Sequence, residues 1–391
     1  MKLSTLVLLS FVWTMAGRTP LQSASLDVLW TNYHPSSNVV SDVCFTPDGA
    51  SVISGNFSGP ARLWNVASGA FIREFVIPSD HVAAVAISPD GLRLAGGGGS
   101  GGFRIWSVND GSVLWVSPTD RSGPGVQDVA FSPDGSRIAR CSRSIGISNS
   151  TNLYEGILLD EVHSQGVRGL AFSPDGSLLG SSGTDERAGL SRVADGALLR
   201  RFSEEPGEHP GPIAFTPDGR YFIFGNKGQD GLPDGTATFW DLQTNGIARV
   251  FPGWGEAVRF TPDGKLLLTI TIFQNGGTLR FWRVSDGRLL AEYNGLTGAR
   301  SLDVSPDGKL FAYGGAALVL ARMPLFFTEV SRAGHQLSLG WAGGSGLYQL
   351  QSTTNMIDGP WQNVGAPTAS TAATNAVTGT IFYRVQSLPN P

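Results

Sequence analysis

Charge is scarce in this chain. Of 391 residues only 15% are Asp, Glu, Lys or Arg, and the net charge is −4 with no basic block. That excludes the electrostatic footprint expected of a partner such as nucleic acid or an anionic membrane. Cysteine is scarcer still, with Cys44 and Cys141 alone, so no disulfide framework can staple the chain. Both occupy small slots in repeats that are not neighbours, which predicts two buried thiols and no bridge. Histidines number five. His34, His81, His163 and His209 fall in equivalent connections, too far apart for ligands that must approach one ion within about 2–2.5 Å. No metal or cofactor is expected. Past the N-terminus no apolar run is long enough for a membrane span. The run Gly96–Gly102 lacks the following Lys and helix of a phosphate cradle and reads as a flexible loop. No nucleophile motif stands out.

What is abundant is glycine (52), proline (23) and aromatic residues (10%), a mixture suited to short strands and tight turns. The opening differs from the rest. Lys2 precedes an apolar stretch, Leu3 to Ala16, and small residues follow up to Ser25. That pattern predicts a secretory signal peptide over 1–25 and hence a secreted or periplasmic protein.

One seven-letter phrase recurs seven times: VCFTPDG, VAISPDG, VAFSPDG, LAFSPDG, IAFTPDG, VRFTPDG and LDVSPDG. Its aspartates are Asp48, Asp90, Asp134, Asp175, Asp218, Asp263 and Asp307, spaced 41 to 45 residues apart. That period suits a four-stranded propeller blade. The large-small alternation before each turn fits an inner strand crowded near a common axis. Pro presets φ, Asp takes the second central position, and Gly takes the left-handed exit. A second strand follows, then a third often ending in Trp, at Trp64, Trp106, Trp240 and Trp282. A two-residue turn opens the fourth. One blade cannot bury both faces, but seven in a ring can. The seventh repeat lacks a fourth strand, and "LDVLWTNYH" resembles one. Asp27 to Thr31 is therefore expected to pair with Leu318 to Arg322 and close the ring.

These features resemble the WD-repeat β-propeller family over residues 26–324. Trp-Asp is complete at Trp240-Asp241. Trp64-Asn65, Trp106-Ser107 and Trp282-Arg283 keep the Trp, while Ser148, Ser191 and Ala321 replace it. The family's His has counterparts without the preceding Gly, and its buried Asp has a candidate in Asp185. The resemblance implies an all-β, seven-bladed propeller with a degenerate His-Asp-Trp network. The six-bladed Tol-associated type shares "SPDG", but seven turns argue against it.

From 325 to 391 the repeat stops. "HQLSLGWAGGSGLYQLQSTTN" alternates like two strands around a Gly-Ser turn, and "GPWQNVG" and "TIFYRVQS" read as two more. The Thr/Ala-rich stretch between these two reads as loop. The segment resembles a short fibronectin type III-like β domain, with Trp341, Tyr348 and Tyr383 as core or, alternatively, as a carbohydrate-binding stripe.

In the inner strands the small slot becomes Arg259 in the sixth repeat and Asp303 in the seventh. They either pair across an interface as a register device or face a wet channel. The family's topology puts the uniform turns on one face and chemically varied connections on the other. Varied loops on a rigid ring make a binding surface, with aromatic and Arg anchors. Tyr33, Phe57, Arg121, Arg187 and Trp254 are the candidates. The leading expectation is a non-enzymatic exported scaffold binding a protein or glycan partner. The alternatives are a propeller-based enzyme or cofactor-dependent dehydrogenase of the cell envelope, and a purely structural envelope role.

Overall fold

The computed structural model describes residues 25–33, 39–117, 125–154, 156–159, 162–203, 211–225, 235–273, 276–333, 336–343, 348–353, 361–370, 372–376 and 382–387. Residues 1–24, nearly all of the expected signal peptide 1–25, lie outside them. All regular structure among the described residues is β.

A lone strand, β1 (Val28–Asn32), precedes seven antiparallel meanders. The first four-stranded sheet runs β2 (Val40–Phe45), β3 (Ser51–Asn56), β4 (Ala61–Asn65) and β5 (Phe71–Phe75). The second is β6 (Ala84–Ile87), β7 (Arg93–Gly97), β8 (Phe103–Ser107) and β9 (Val113–Val116). The third is β10 (Asp128–Phe131), β11 (Arg137–Cys141), β12 (Ile145–Asn149) and β13 (Gly156–Leu159). The fourth is β14 (Val167–Phe172), β15 (Leu178–Gly183), β16 (Arg187–Arg192) and β17 (Leu198–Ser203). The fifth is β18 (Ala214–Phe215), β19 (Tyr221–Gly225), β20 (Gly235–Asp241) and β21 (Gly246–Trp254). The sixth is β22 (Ala257–Phe260), β23 (Leu266–Phe273), β24 (Gly276–Arg283) and β25 (Leu289–Thr297). The seventh has three strands of its own, β26 (Ser301–Val304), β27 (Leu310–Gly314) and β28 (Leu318–Arg322), and β1 completes it. The architecture is a seven-bladed β-propeller.

β1 lies antiparallel to β28, with Trp30 opposite Leu320 and Asn32 opposite Leu318. Its reach extends to the next blade. Trp30 Nε1 donates to Val66 O at 2.8 Å and Asn32 Nδ2 to Gly69 O at 2.7 Å. The first strand therefore latches blade 7 to blade 1.

Each repeated turn has the same wiring. The Ser or Thr before Pro donates its hydroxyl to the Asp carboxylate. That carboxylate accepts the backbone N–H two residues on. The hydroxyl oxygen in turn accepts the N–H five residues on. The seven turn glycines hold φ between +68° and +72°, where a Cβ is strained. Each sits against the turn proline of the preceding blade: Gly91 on Pro47, Gly135 on Pro89, and so on round to Gly49 on Pro306. A Cβ at these glycines would lie 3.4 to 3.8 Å from the proline Cδ. The turns thus form a closed ring on one face, an arrangement invisible within any single repeat.

Burial follows the same circle. Eight apolar clusters are present among the described residues, seven of them between adjacent blades. The third-strand tryptophans each face the preceding blade, Trp64 toward blade 7 and Trp106 toward blade 1. Trp240 and Trp282 do so at the next two such interfaces. Ser148, Ser191 and Ala321 occupy the equivalent positions, opposite Ile138, Leu179 and Phe311.

The segment after the ring forms two three-stranded sheets. One is β29 (Phe326–Ala333), β30 (Gln336–Ala342) and β33 (Ala372–Ala376). The other is β32 (Gln362–Asn363), β31 (Tyr348–Thr353) and β34 (Phe382–Ser387). The eighth cluster joins them through Leu339, Trp341, Tyr348, Leu350 and Val385. Trp341 and Tyr348 meet edge to face at 5.8 Å, and Tyr383 lies on β34 with its side chain outside the described set. The two strands expected on either side of the Gly-Ser stretch are present, in different sheets. One expectation is corrected: the Thr/Ala-rich stretch contributes β33, paired with β30. Local propensity for strand is weak there, and tertiary pairing overrides it. The segment is docked onto the ring: Phe326 and Ala342 join the core between blades 6 and 7, and Phe326 lies 5.4 Å from Phe281.

Candidate binding face and central channel

Seven inner strands line the axis. Their alternation aims Cys44, Ala86, Ala130, Ala171, Ala214, Arg259 and Asp303 inward at one level. Asp42, Asp128 and Ser301 stand one step further along the channel, at the level of the other inner-strand small residues. Arg259 Nε donates to Asp303 Oδ1 at 3.3 Å, and the Arg259 side chain is 44% exposed. Both expectations for this pair hold together: it bridges blades 6 and 7 and it faces the channel.

The sequence reading missed Asp42 and Asp128. Asp42 Oδ2 accepts the Val85 N–H of blade 2 at 3.0 Å, and Asp128 Oδ2 accepts the Leu170 N–H of blade 4 at 2.8 Å. Asp303 does the same to Phe45 of blade 1, at 2.8 Å. An inner strand is a sheet edge, so its outward N–H groups need partners. These carboxylates supply them across three interfaces. The shared phrase D-V-[CA]-F, at Asp42-Val43-Cys44-Phe45 and Asp128-Val129-Ala130-Phe131, was the available signal. Protein surrounds these groups on every side although they open to the lumen. Burial raises Asp128 to about 7, with the charge of Asp42 adding to it. Burial also raises Asp42 and Asp303, against the pull of their N–H donors and Arg259. Burial alone would lower Arg259, but Asp303, Asp42 and Asp128 around it raise it.

The cysteines are unbridged. Cys141 is buried as expected, whereas Cys44 is only half-buried, because its strand parity places it on the channel wall. Burial and the nearby Asp42 and Asp303 push its thiol up, away from the reactive thiolate.

Blade 4 holds a Ser-His-Asp arrangement. His163 Nδ1 meets Asp185 Oδ1 at 2.8 Å and His163 Nε2 meets Ser181 Oγ at 2.8 Å. A carboxylate only accepts, so Nδ1–H donates and the Ser181 hydroxyl donates to Nε2. Burial lowers the His163 pKa, against the hydrogen bond it donates to Asp185 and that carboxylate's charge. The distances would suit a nucleophile and base, but Ser181 is 1% exposed and a substrate cannot reach it. The group ties the entering connection to β15 and β16. Fragments of the same device recur where Trp64 Nε1 donates to Ser54 Oγ at 2.9 Å and Trp282 Nε1 to Thr269 Oγ1 at 3.0 Å. His34 and His209 lie outside the described residues.

The glycine run is also corrected. It joins β7 to β8, but close packing rather than looseness requires it. A Cβ on Gly99 would fall 2.4 Å from His81 Cε1, and one on Gly97 2.3 Å from Val126 Cβ. Asp80 and His81 also accept the N–H groups of Ser100 and Gly99, at 3.1 Å each. Among the described residues no group of three or more His, Cys, Asp or Glu could hold a metal ion.

On the face opposite the turn ring, the candidates fall in two places. Tyr33 is 73% exposed and Phe57 47% exposed. The Phe57 N–H donates to Val39 O, so the β3–β4 turn is tied to the connection that begins at Tyr33. Arg187 opens β16 on blade 4, far round the ring, and is half-buried. Arg121 and the Trp254 side chain lie outside the described residues.

This ring of like blades, latched by the first strand and wired by remnants of a His-Asp-Trp network, defines a repeat scaffold. The family model described as WD domain, G-beta repeat matches residues 69–107 and 157–188. Each match spans the outer strand of one blade and inner strands of the next. A search of curated proteins finds no match to the chain. The chain is a seven-bladed β-propeller that carries WD-type repeats in two of its stretches. Propellers of this family are generally non-enzymatic scaffolds that bind proteins. No helix among the described residues is long and apolar enough to cross a membrane.

Proposed function

We propose that this protein is exported and binds a protein or polysaccharide of the cell envelope through the face opposite its turn ring. The observation that carries this is the contrast between the faces. One is occupied by seven identically wired turns, while the other presents Tyr33 and Phe57 exposed on connections tied to each other. Solvated aromatics held on a rigid scaffold bind at small entropic cost. The charged opening, apolar stretch and small residues of the first 25 positions support export. The sheet orders β29-β30-β33 and β32-β31-β34 support reading residues 325–391 as a fibronectin type III-like unit.

The test uses immobilised mature protein, challenged with solubilised envelope extract and, separately, a printed glycan array. A specific capture should be lost in Tyr33→Ala/Phe57→Ala while the melting temperature is unchanged. Capture that survives the double substitution would place the binding elsewhere.

A further inference from the structure

Three carboxylates on the channel wall, Asp42, Asp128 and Asp303, share one guanidinium, Arg259. Their support is unequal. Asp303 holds the ion pair with Arg259 and accepts the Phe45 N–H. Asp42 accepts three donors, the N–H groups of Val43 and Val85 and the Ser301 hydroxyl. Asp128 accepts the N–H groups of Val129 and Leu170, and no hydroxyl or cation bonds it among the described residues. Asp42 and Asp128 stand at one level of blades 1 and 3, opposite Gly55 and Cys141 of their second strands. Blade 2 has only Ala84 at that level, opposite Gly97.

The strands packed on β10 bring Asp128 no partner of opposite charge. β6 carries no titratable group, and the Arg93 guanidinium of β7 is spent at the turns, on Gly135 O and Ser150 Oγ. β11 brings the Cys141 thiol, pushed up by burial and by Asp128 itself, and Arg140, which stacks on Phe103. β14 carries Arg168, exposed, two positions before Leu170. Arg259 acts on Asp128 from blade 6, without contact. One guanidinium cannot neutralise three carboxylates in a lumen walled by protein, so the least supported of them takes up a proton first.

We propose that Asp128 is a pH-sensing group of the channel, protonated in mildly acidic medium and ionised in alkaline medium, where its charge opposes that of Asp42 and weakens the ring. Burial and Asp42 raise its pKa to about 7. A carboxyl raised in the folded state contributes stability in full below its unfolded pKa of about 4 and loses it as pH rises through the folded value. The turn aspartates, held low by their hydroxyl donors, act in the opposite sense. Together the two sets make the propeller most stable in mild acid.

The experiment follows the aspartate carboxyls of the full mature chain, isotope-labelled at Cγ, by NMR from acid to alkaline pH. One carboxyl should titrate near pH 7, and its signal should be missing in Asp128→Asn. Asp42→Asn should shift that midpoint down, because a like charge is gone. Thermal melts give a second readout. The wild type should melt lower at about pH 9 than at about pH 6, and the difference should shrink by at least about half in Asp128→Asn, whose amide oxygen can still accept the Leu170 N–H. A wild type with no aspartate titrating above about pH 5 would overturn the inference, whether or not the variants fold. So would a midpoint unmoved by Asp42→Asn, or an alkaline loss equal in wild type and Asp128→Asn.

Discussion

Gly49 rests on the ring of Pro306, 257 residues away in sequence. This contact closes the circle of turns on one face, as β1 on β28 closes the circle of sheets at the rim. Two closures at different radii resist the same motion, the parting of blade 7 from blade 1.

The latch should therefore carry much of the ring's stability. Trp30 covers Gly69 and anchors on Val66 O. Trp30→Ala is expected to cost about 2–4 kcal/mol in urea unfolding, from lost apolar burial and a lost hydrogen bond. Deleting residues 26–34 should lower the melting temperature more and promote association. A truncated chain that melts like the full one would show that the turn ring alone suffices.

Backbone conformation separates two kinds of glycine. Gly135 has φ +70°, so Gly135→Ala should cost about 1 kcal/mol through left-handed strain. Gly246 starts β21 with no positive φ and nothing within 4 Å of a Cβ, so Gly246→Ala should be neutral or slightly stabilising. Equal effects at both sites would refute the distinction.

Acid sensitivity follows from the turns. Hydrogen bonding from Ser132 lowers Asp134 to about 2, and the corresponding hydroxyls lower Asp48, Asp90 and Asp175. A depressed carboxylate contributes stability that is present above its unfolded pKa of about 4 and lost as pH falls through the folded value. Melting temperature should drop steeply between about pH 4 and pH 2. In Asp134→Asn that drop should be shallower, starting from a lower plateau at pH 7. An unchanged acid slope would mean that this carboxylate does not stabilise the turn.

The buried network of blade 4 is expected to be structural. Ser181→Ala leaves His163 Nε2 without its donor and should cost about 1–3 kcal/mol. Hydrolysis of generic ester substrates should be absent from both wild type and variant. Ester turnover that vanishes with Ser181 would instead make it a nucleophile.

Docking of the C-terminal sheets can be probed at Phe326. Phe326→Ala opens the core against Phe281 and should cost about 3 kcal/mol, lowering the melting temperature of the propeller itself. A shift confined to a separate, smaller transition would show the two parts to be independent.

Much of this was legible in the letters, because a repeat multiplies weak signals. One S/T-P-D-G turn says little, but seven at a constant period specify blade number, strand order and, through the orphaned "LDVLWTNYH", the closing strand. The C-terminal segment has no repeat to average over. There β29 went unrecognised, and the Thr/Ala-rich stretch that supplies β33 was read as loop. The candidate face was only half legible. Exposure of Tyr33 and Phe57 matches the expectation of a varied surface, but nothing local shows that Arg187 stands far from them.

The sequence by itself determined the element of construction, since turn chemistry and alternation act within a few residues and are written there. The tertiary structure alone decided how the elements lock. Gly49 on Pro306, Asp42 on Val85 and Asp303 on Phe45 join atoms from different blades. Such contacts depend on where the sheets lie once the ring has closed, a geometry no single repeat contains.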